Sequence, residues 1–501
     1  MTVATPGKFA RDAKRSPAAT LRPPVGARPA FALHAVLLPL AVVATLALQL
    51  TTLTYYFYFD DYVPFSEIVV NGHREYVWRL LTATDLTPNW RPLPGLLYLA
   101  SYDIAGMNPL PVRIVMLAMH SGSVALLYYL IWRVSGRAWA ACVGALVFGL
   151  NPAYVGALSQ VTTATQVMTV FFLLVALIAV IECSLAEDRR SSHAWLAPGV
   201  ASFVLALASH EGMAIIFPVF GVASLTFDRR RDGRLVRAAL RTAPFALLGW
   251  ATAASFWACG CNEGANVWGT DYVWNQTLIY TGRLFYPVGL ELPTTVGVPH
   301  MLGAATLALI MVAASAFGPK IARVGALWIV LAIAPHVFIQ YFTASRYLYL
   351  AAPGLALVFA SSAIMLADAV PARHLRAAAL TGVPLLGALF GWYAYETVHQ
   401  DRHFSDATGD WRRFHRDVTR VFPRVPAGTR VMIIGGPFQK YEYQLHILPA
   451  FAQTTWGEGV TLQDYEPGSL PAQLALVSKS PYVAEYRGDE LVRLYGPATG
   501  E

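Results

Sequence analysis

The sequence predicts a polytopic α-helical membrane protein of about eleven transmembrane helices, closed by a small C-terminal α/β domain. Three observations predict it. The 501 residues are 56% hydrophobic and only 13% charged, with a mean hydropathy of +0.46, whereas a soluble domain is about 45–50% apolar and about 25% charged. Apolar runs of spanning length recur as far as residue 396, and short basic clusters lie between many of them. Beyond that point the runs stop and short strand-like segments begin.

Residues 1–30, "MTVATPGKFARDAKRSPAATLRPPVGARPA", are rich in Pro, Ala and Arg and have no apolar periodicity, so they read as a disordered basic tail. The run from Phe31 to Phe59 is too long for a signal-peptide core, and aspartates rather than a small-residue cleavage site follow it. It stays as an anchor. Spans are expected near 32–57, 111–132, 138–157, 160–183, 194–209, 212–227, 241–259, 301–317, 323–341, 346–368 and 375–396. With the tail inside, "WRVSGR", "AEDRR", "DRRRDGRLVR", "GPKIAR" and "PARHLR" all face the cytoplasm. Each carries arginine or lysine, as the positive-inside rule requires. The opposite face then receives the loops 58–110 and 260–300 and the carboxyl terminus.

The formal charge of +7 lies in those connections and not along one face, which excludes nucleic acid as a partner and leaves membrane lipid. Four cysteines are too few for a disulfide framework. Cys142 and Cys183 lie in apolar runs and read as packing residues. A bridge between Cys259 and Cys261 would be strained and is not expected.

In the last segment, "DWRRFHRDVTRVFP" spaces Trp411, Phe414, Val418 and Val421 as one helix face. "TRVMIIGG" reads as a buried strand, and "YVAEYRGDELVRLYG" as a hairpin with a Gly-Asp turn. Gly435 and Gly436 lack the spacing of a phosphate loop and read as a plain turn. The chain thus divides into a tail (1–30), a membrane domain (31–397) and an outer α/β domain (398–501).

The unusual residues gather on the expected outer face. "YFYFDDYVPF" ends the first span with Asp60 and Asp61, hemmed in by aromatic rings that solvate them poorly. Glu211 arrives there beside His210 in "LALASHEGMAIIFP", and Arg346 with Tyr347 in "YFTASRYLYLAAPG". Arg91 lies in "WRPLPGLLYLASYDIAGMNPLP", a stretch suited to the headgroup layer; it and Asp103 read as structural, with substrate positioning the other use of Arg91. His120 reads as an interhelical hydrogen-bonding residue and Arg283 as an interfacial anchor. No His/Cys/Asp spacing specifies a metal, so no cofactor is assigned and a divalent metal is left open.

At these residues the chain resembles the integral-membrane glycosyltransferases of the GT-C fold, above all the protein O-mannosyltransferases and their tetratricopeptide-bearing relatives. "FDDYVPF" is similar to the acidic motif opening the family's first outer loop. "WRPLPGLLYLASYDIAGMNPLPVRIVMLAMH", "VFGLNPAYVGALSQV", "LASHEGMAIIFP", "LFYPVGLELP" and "SRYLYLAAPG" follow in the family's order. The chain departs from the pattern at Arg113 and Val115, at His210 in place of lysine, and at Ser345 in place of an acid. No tetratricopeptide repeats follow.

The resemblance implies transfer of a sugar, in the manner of a hexosyl- or mannosyltransferase, from a polyprenyl-phosphate donor to a protein, lipid or glycan acceptor. It puts the catalytic base at the first acid of the pair, Asp60, with Asp61 orienting it, although the residues alone leave open which of the two is the base. Arg346 and Tyr347 would bind the donor phosphate, and Glu211, His210 and Arg91 would position substrate. The expected location is the inner (plasma) membrane of a bacterium. A flippase or transporter of lipid-linked sugars is the alternative, but it calls for ionisable groups near the bilayer midplane and an internal repeat, and neither is evident.

Overall fold

The computed structural model describes residues 28–82, 90–186, 188–230, 232–258, 269–287, 296–338, 344–438, 446–469, 471–472, 482–488 and 490–495. Most of the expected basic tail and the pair Cys259 and Cys261 lie outside them.

The chain enters through α1 (Arg28–Gln49), then α2 (Tyr62–Thr82) and α3 (Pro92–Ala105). The bundle continues with α4 (Leu110–Ser135), α5 (Ala138–Leu150), the short α6 (Val155–Ser159), α7 (Ala164–Leu185), α8 (Arg189–Leu207) and α9 (Phe217–Phe227). It is completed by α10 (Arg234–Ala258), α11 (Thr270–Phe285), α12 (Val298–Phe317), α13 (Ile321–Ile333), α14 (Leu348–Ala369) and α15 (Leu375–Val421). Each of the expected spans overlaps a helical segment, and the last residues of those at 241–259 and 323–341 lie outside the described residues. Seven of these segments, among the described residues, are long and apolar enough to cross a membrane.

Burial separates centre from rim. The apolar window around α5 is 94% buried and that of α7 78%, against 17% at the first span and 22% at α12. The centre is therefore α5 and α7, and α1 and α12 offer their apolar faces to lipid. Helix punctuation follows the sequence: α4 stops where Gly136 takes φ 70° and donates its N–H to the Trp132 carbonyl at 2.7 Å, a conformation that costs glycine nothing sterically. Small residues then let backbones approach. A Cβ added at Gly354 on α14 would lie 2.6 Å from the Gly325 carbonyl oxygen on α13.

The last helix does not stop at the membrane domain. α15 runs unbroken for 47 residues, about 70 Å, and the expected domain boundary at 397/398 falls inside it. Its far half buries Trp411, Phe414, Val418 and Val421, the face expected from their spacing. Beyond it lie β1 (Arg430–Ile434), α16 (Leu448–Trp456), β2 (Thr461–Tyr465), β3 (Val483–Arg487) and β4 (Glu490–Tyr495). The sheet has the order β2-β1-β3-β4, with β1 parallel to β2 and β3, and β3–β4 the expected antiparallel hairpin. The glycines after β1 do not offer free N–H groups to a phosphate. Gly436 and Phe438 donate theirs to the buried Asp464 carboxylate at 2.9 Å each.

Candidate active site

The acid pair lies between α1 and α2, on a single 3-10 turn, Phe59–Asp61. Phe59 is held at φ 50°, the one non-glycine residue among those described with a positive φ. An aromatic side chain in that region costs on the order of 1–3 kcal/mol, a strain that the surroundings must enforce. They do so through Asp61, which is fully buried. Its Oδ2 accepts the Tyr58 N–H at 2.9 Å, and its Oδ1 accepts the Thr162 N–H at 2.9 Å. The Thr162 hydroxyl bridges the two acids, 2.9 Å from Asp60 Oδ1 and 3.1 Å from Asp61 Oδ1.

Burial pushes the Asp61 carboxyl up to about 6, the Arg113 guanidinium draws it back, Asp60 adds to the rise, and the Thr162 N–H opposes it. Asp60 differs in kind, because its side chain is 29% exposed. Its Oδ2 faces Arg346 Nη1 at 3.5 Å, and the same Nη1 donates to Gln160 Oε1 at 2.8 Å. One acid is fixed inside and the other faces out.

Three further elements converge on the pair. The turn Ser345–Tyr347 opens α14 and presents Arg346, whose guanidinium sits 5.6 Å from the Tyr347 ring centroid. The turn Glu211–Ile216 between α8 and α9 presents Glu211. Arg91, at the start of α3, grips it bidentately at 2.8 and 2.9 Å. His210 caps that turn by accepting the Gly212 N–H on Nδ1 at 3.2 Å. The structure thus gathers Asp60, Asp61, Arg346, Tyr347, Glu211, His210 and Arg91 at one end of the bundle, with Glu211 and Arg91 spent on each other.

Sequence reasoning missed four participants. Arg113 is 1% exposed and donates to the carbonyls of Ser159 at 2.9 Å and Tyr56 at 2.7 Å. Gln160 and Thr162 sit in the connection between α6 and α7, which looks like an ordinary turn. His336 lies just beyond α13 and stacks on Tyr347, ring centroids 4.2 Å apart and 13° from parallel. The signal that could have found it is a histidine nine residues before the Arg346 turn and ten before Arg346 itself.

Other expectations resolve differently. His120 Nδ1 meets the Tyr349 hydroxyl at 2.9 Å, an interhelical bond between α4 and α14 as read. Arg283 is no interfacial anchor: it is 1% exposed, with Glu396 as an electrostatic partner. Its helix packs closely on α12, where Gly282 lies against the His300 backbone. Among the described residues no group of three or more His, Cys, Asp or Glu is placed to hold a metal.

α15 fastens the acid turn from the side. The Thr51 hydroxyl donates to Asp401 at 2.7 Å, Arg412 donates to the Thr54 carbonyl at 2.7 Å, and the Tyr56 hydroxyl meets His415 Nδ1 at 2.5 Å. Tyr62, the residue after the pair, packs 5.1 Å from Trp411 and 5.3 Å from Phe451 of α16. A cavity of about 310 Å³ lies against α11, lined by Thr270, Val273, Trp274, Thr277 and Phe338. Phe338 belongs to the same turn as His336.

No family model and no curated protein matches the chain. Solved structures do. ArnT from Cupriavidus metallidurans, in its crystal structure bound to undecaprenyl phosphate, aligns with a TM-score of 0.52 at 12% identity, over 92% of this chain and 99% of that one. The apo crystal structure of ArnT from the same organism gives 0.51 at 12% identity, over 92% of this chain and 98% of that one. The likeness spans the bundle and the terminal domain together, and the chain has the GT-C fold.

Proposed function

We propose that the chain is a glycosyltransferase that moves a sugar from a polyprenyl-phosphate donor to an acceptor on the outer side of the membrane, by direct inverting displacement. The observation that carries the reading is Asp60 facing Arg346 at 3.5 Å on a strained turn, at one end of a GT-C bundle. ArnT, a neighbour in fold, is solved with undecaprenyl phosphate bound, which supports a lipid phosphate as leaving group. The narrower likeness to O-mannosyltransferases, and with it hexosyl or mannosyl transfer, rests on the sequence motifs.

The chemistry divides between the two sides of that contact. An acceptor hydroxyl is a weak nucleophile, so Asp60 takes its proton as the oxygen bonds to the anomeric carbon. The bond from that carbon to the phosphate oxygen breaks, and the polyprenyl phosphate leaves with the bonding pair. Arg346 offsets the added charge, because its planar fork stays protonated and matches phosphate oxygens. A single displacement inverts the anomeric centre and needs no second carboxylate as nucleophile. Asp61, tied to two backbone N–H groups, holds the turn that aims Asp60. The acceptor is a protein, a lipid or a glycan. The arginine- and lysine-bearing connections support a reading in which the amino terminus is cytoplasmic, the membrane is a bacterial inner membrane and the terminal domain lies outside.

The test is transfer from undecaprenyl-phosphate sugars by the purified protein. Asp60→Asn is expected to lower kcat by about 10²- to 10⁴-fold while thermal unfolding is unchanged. Turnover near the wild-type rate would remove Asp60 as the base. Arg346→Lys should weaken donor use more than acceptor use, and equal losses would count against the phosphate role.

A further inference from the structure

The imidazoles beside Arg346 have hydrogen-bonding capacity that the described residues do not use. His336 is 3% exposed, and neither of its ring nitrogens meets a partner among the described residues. His210, also 3% exposed, stands edge-on to it, with centroids 5.8 Å apart and rings at 89°. Its Nδ1 is taken by Gly212, but its Nε2 meets nothing among the described residues, and the same holds for Arg346 Nε. Each such atom costs about 1–3 kcal/mol if left unsatisfied, and native proteins seldom leave several together. Four nitrogens in one neighbourhood, bordered by the Tyr347 ring, mark a place that a ligand completes.

The donor and acceptor count says which ligand. A neutral imidazole carries one N–H donor and one bare acceptor nitrogen. Burial first, then the nearby Arg91, hold His210 down to about 4, so it is neutral at physiological pH. Phosphate oxygens only accept and would leave the bare nitrogens unmet. Hydroxyl groups both donate and accept, and satisfy both kinds of atom. An amino group would look for a free carboxylate, but Glu211 is already held bidentately by Arg91, and Asp60 is engaged by Arg346 and Thr162.

We infer that His210 and His336 form the pocket that reads the hydroxyl groups of the transferred sugar, and that this sugar is an uncharged polyol. The inference rests on the lipid-linked donor proposed above and deepens it. Arg346 would hold the phosphate, and the pocket one residue further on, behind Tyr347, would hold the sugar.

The experiment compares two kinds of probe on the full chain in nanodiscs: undecaprenyl phosphate alone, and undecaprenyl phosphate carrying mannose, glucose or galactose. The wild type is expected to bind at least one hexosyl probe more tightly than the bare lipid phosphate. His336→Phe keeps the ring stack and removes both nitrogens. It should lose about tenfold or more on that hexosyl probe and stay within about twofold on the bare lipid. His336→Gln, which retains a donor and an acceptor, should recover most of the loss. Equal losses on both probes, no loss on either, or no gain from the sugar in the wild type would overturn the inference while leaving the lipid-phosphate reading intact. A wild type that binds neither kind of probe would bring down the donor reading and the pocket with it.

Discussion

Phe59 stands at φ 50° because Asp61, two residues later on the same turn, is bonded to both Tyr58 and Thr162. The strain therefore depends on the ionised, accepting form of Asp61. Since its carboxyl is raised to about 6 by burial, it takes up a proton as the pH falls through about 6 and can no longer accept at both oxygens. Transfer should thus be level above that value and decline below it, which kcat measured between pH 5 and 8 checks. Asp61→Asn should be slow throughout and lack this limb; the same limb in that variant would assign it to another group. The Arg91–Glu211 pair calls for a stability measurement instead. Glu211 is 7% exposed, so Arg91→Ala leaves a buried charge and should cost about 3–5 kcal/mol. Arg91→Met with Glu211→Leu should recover most of the midpoint in thermal unfolding. Additive losses in the double variant would sink the pairing argument. Asp60, Asp61, Glu211 and Arg346 stood out in the sequence because a charge beside an apolar run is conspicuous. His336, Gln160 and Arg113 were not. A lone histidine or glutamine near the end of a span looks like packing, and only the fold brings it to Arg346.

Helices in lipid gain little from burying apolar surface against one another, so close backbone approach decides which pairs stay together. The α13–α14 contact is such a pair. A Cβ on Gly325 would lie 2.8 Å from the Gly354 carbonyl oxygen, and one on Gly354 would lie 3.0 Å from the Ile329 nitrogen. Trp328 Nε1 adds a 2.8 Å bond to the Leu350 carbonyl. These two helices also carry His336 and Arg346 on adjoining turns, so their spacing sets the spacing of those side chains. Gly354→Val should force the helices apart, lower stability by about 1–3 kcal/mol, and reduce transfer along with it. The matched control is Gly387→Val on α15, where nothing lies within 4 Å, with an expected change of about 0.5 kcal/mol or less. A similar loss in both would mean that the effect is propensity and not contact. The helices at the expected spans were legible from apolar length, and seven of them are long and apolar enough, among the described residues, to cross a membrane. Which of them pack centrally was not, because hydropathy does not report it: the first span, at a mean hydropathy of 2.1, lies at the rim, and the α5 segment, at 1.6, lies at the centre.

The molecule is held together across its two parts by α15, and this could not be read from composition. The change of character near residue 397 is real in the sequence, yet a helix tolerates a switch from apolar to amphipathic without a break, so one rod serves the bundle and the terminal domain. Its consequence is mechanical. Trp411 is 1% exposed and stacks on Phe438 at 3.7 Å, while its other side contacts Tyr62, next to the acid pair. The terminal domain therefore bears on the strained turn, whereas Arg346, His210 and His336 stand on the bundle alone. Trp411→Ala should cost the domain about 3–5 kcal/mol and expose α16 and the sheet to limited proteolysis. Transfer should fall at least tenfold, because Asp60 loses its fixed aim, while binding of undecaprenyl phosphate stays near wild type. Trp411→Phe, which keeps an aromatic plate against Phe438, should restore most of both losses. If proteolysis loosens the domain but transfer is unchanged, the terminal domain is an appendage and the turn is held by the bundle. If lipid binding falls in step with transfer, the two parts are not separable in the way the contacts imply.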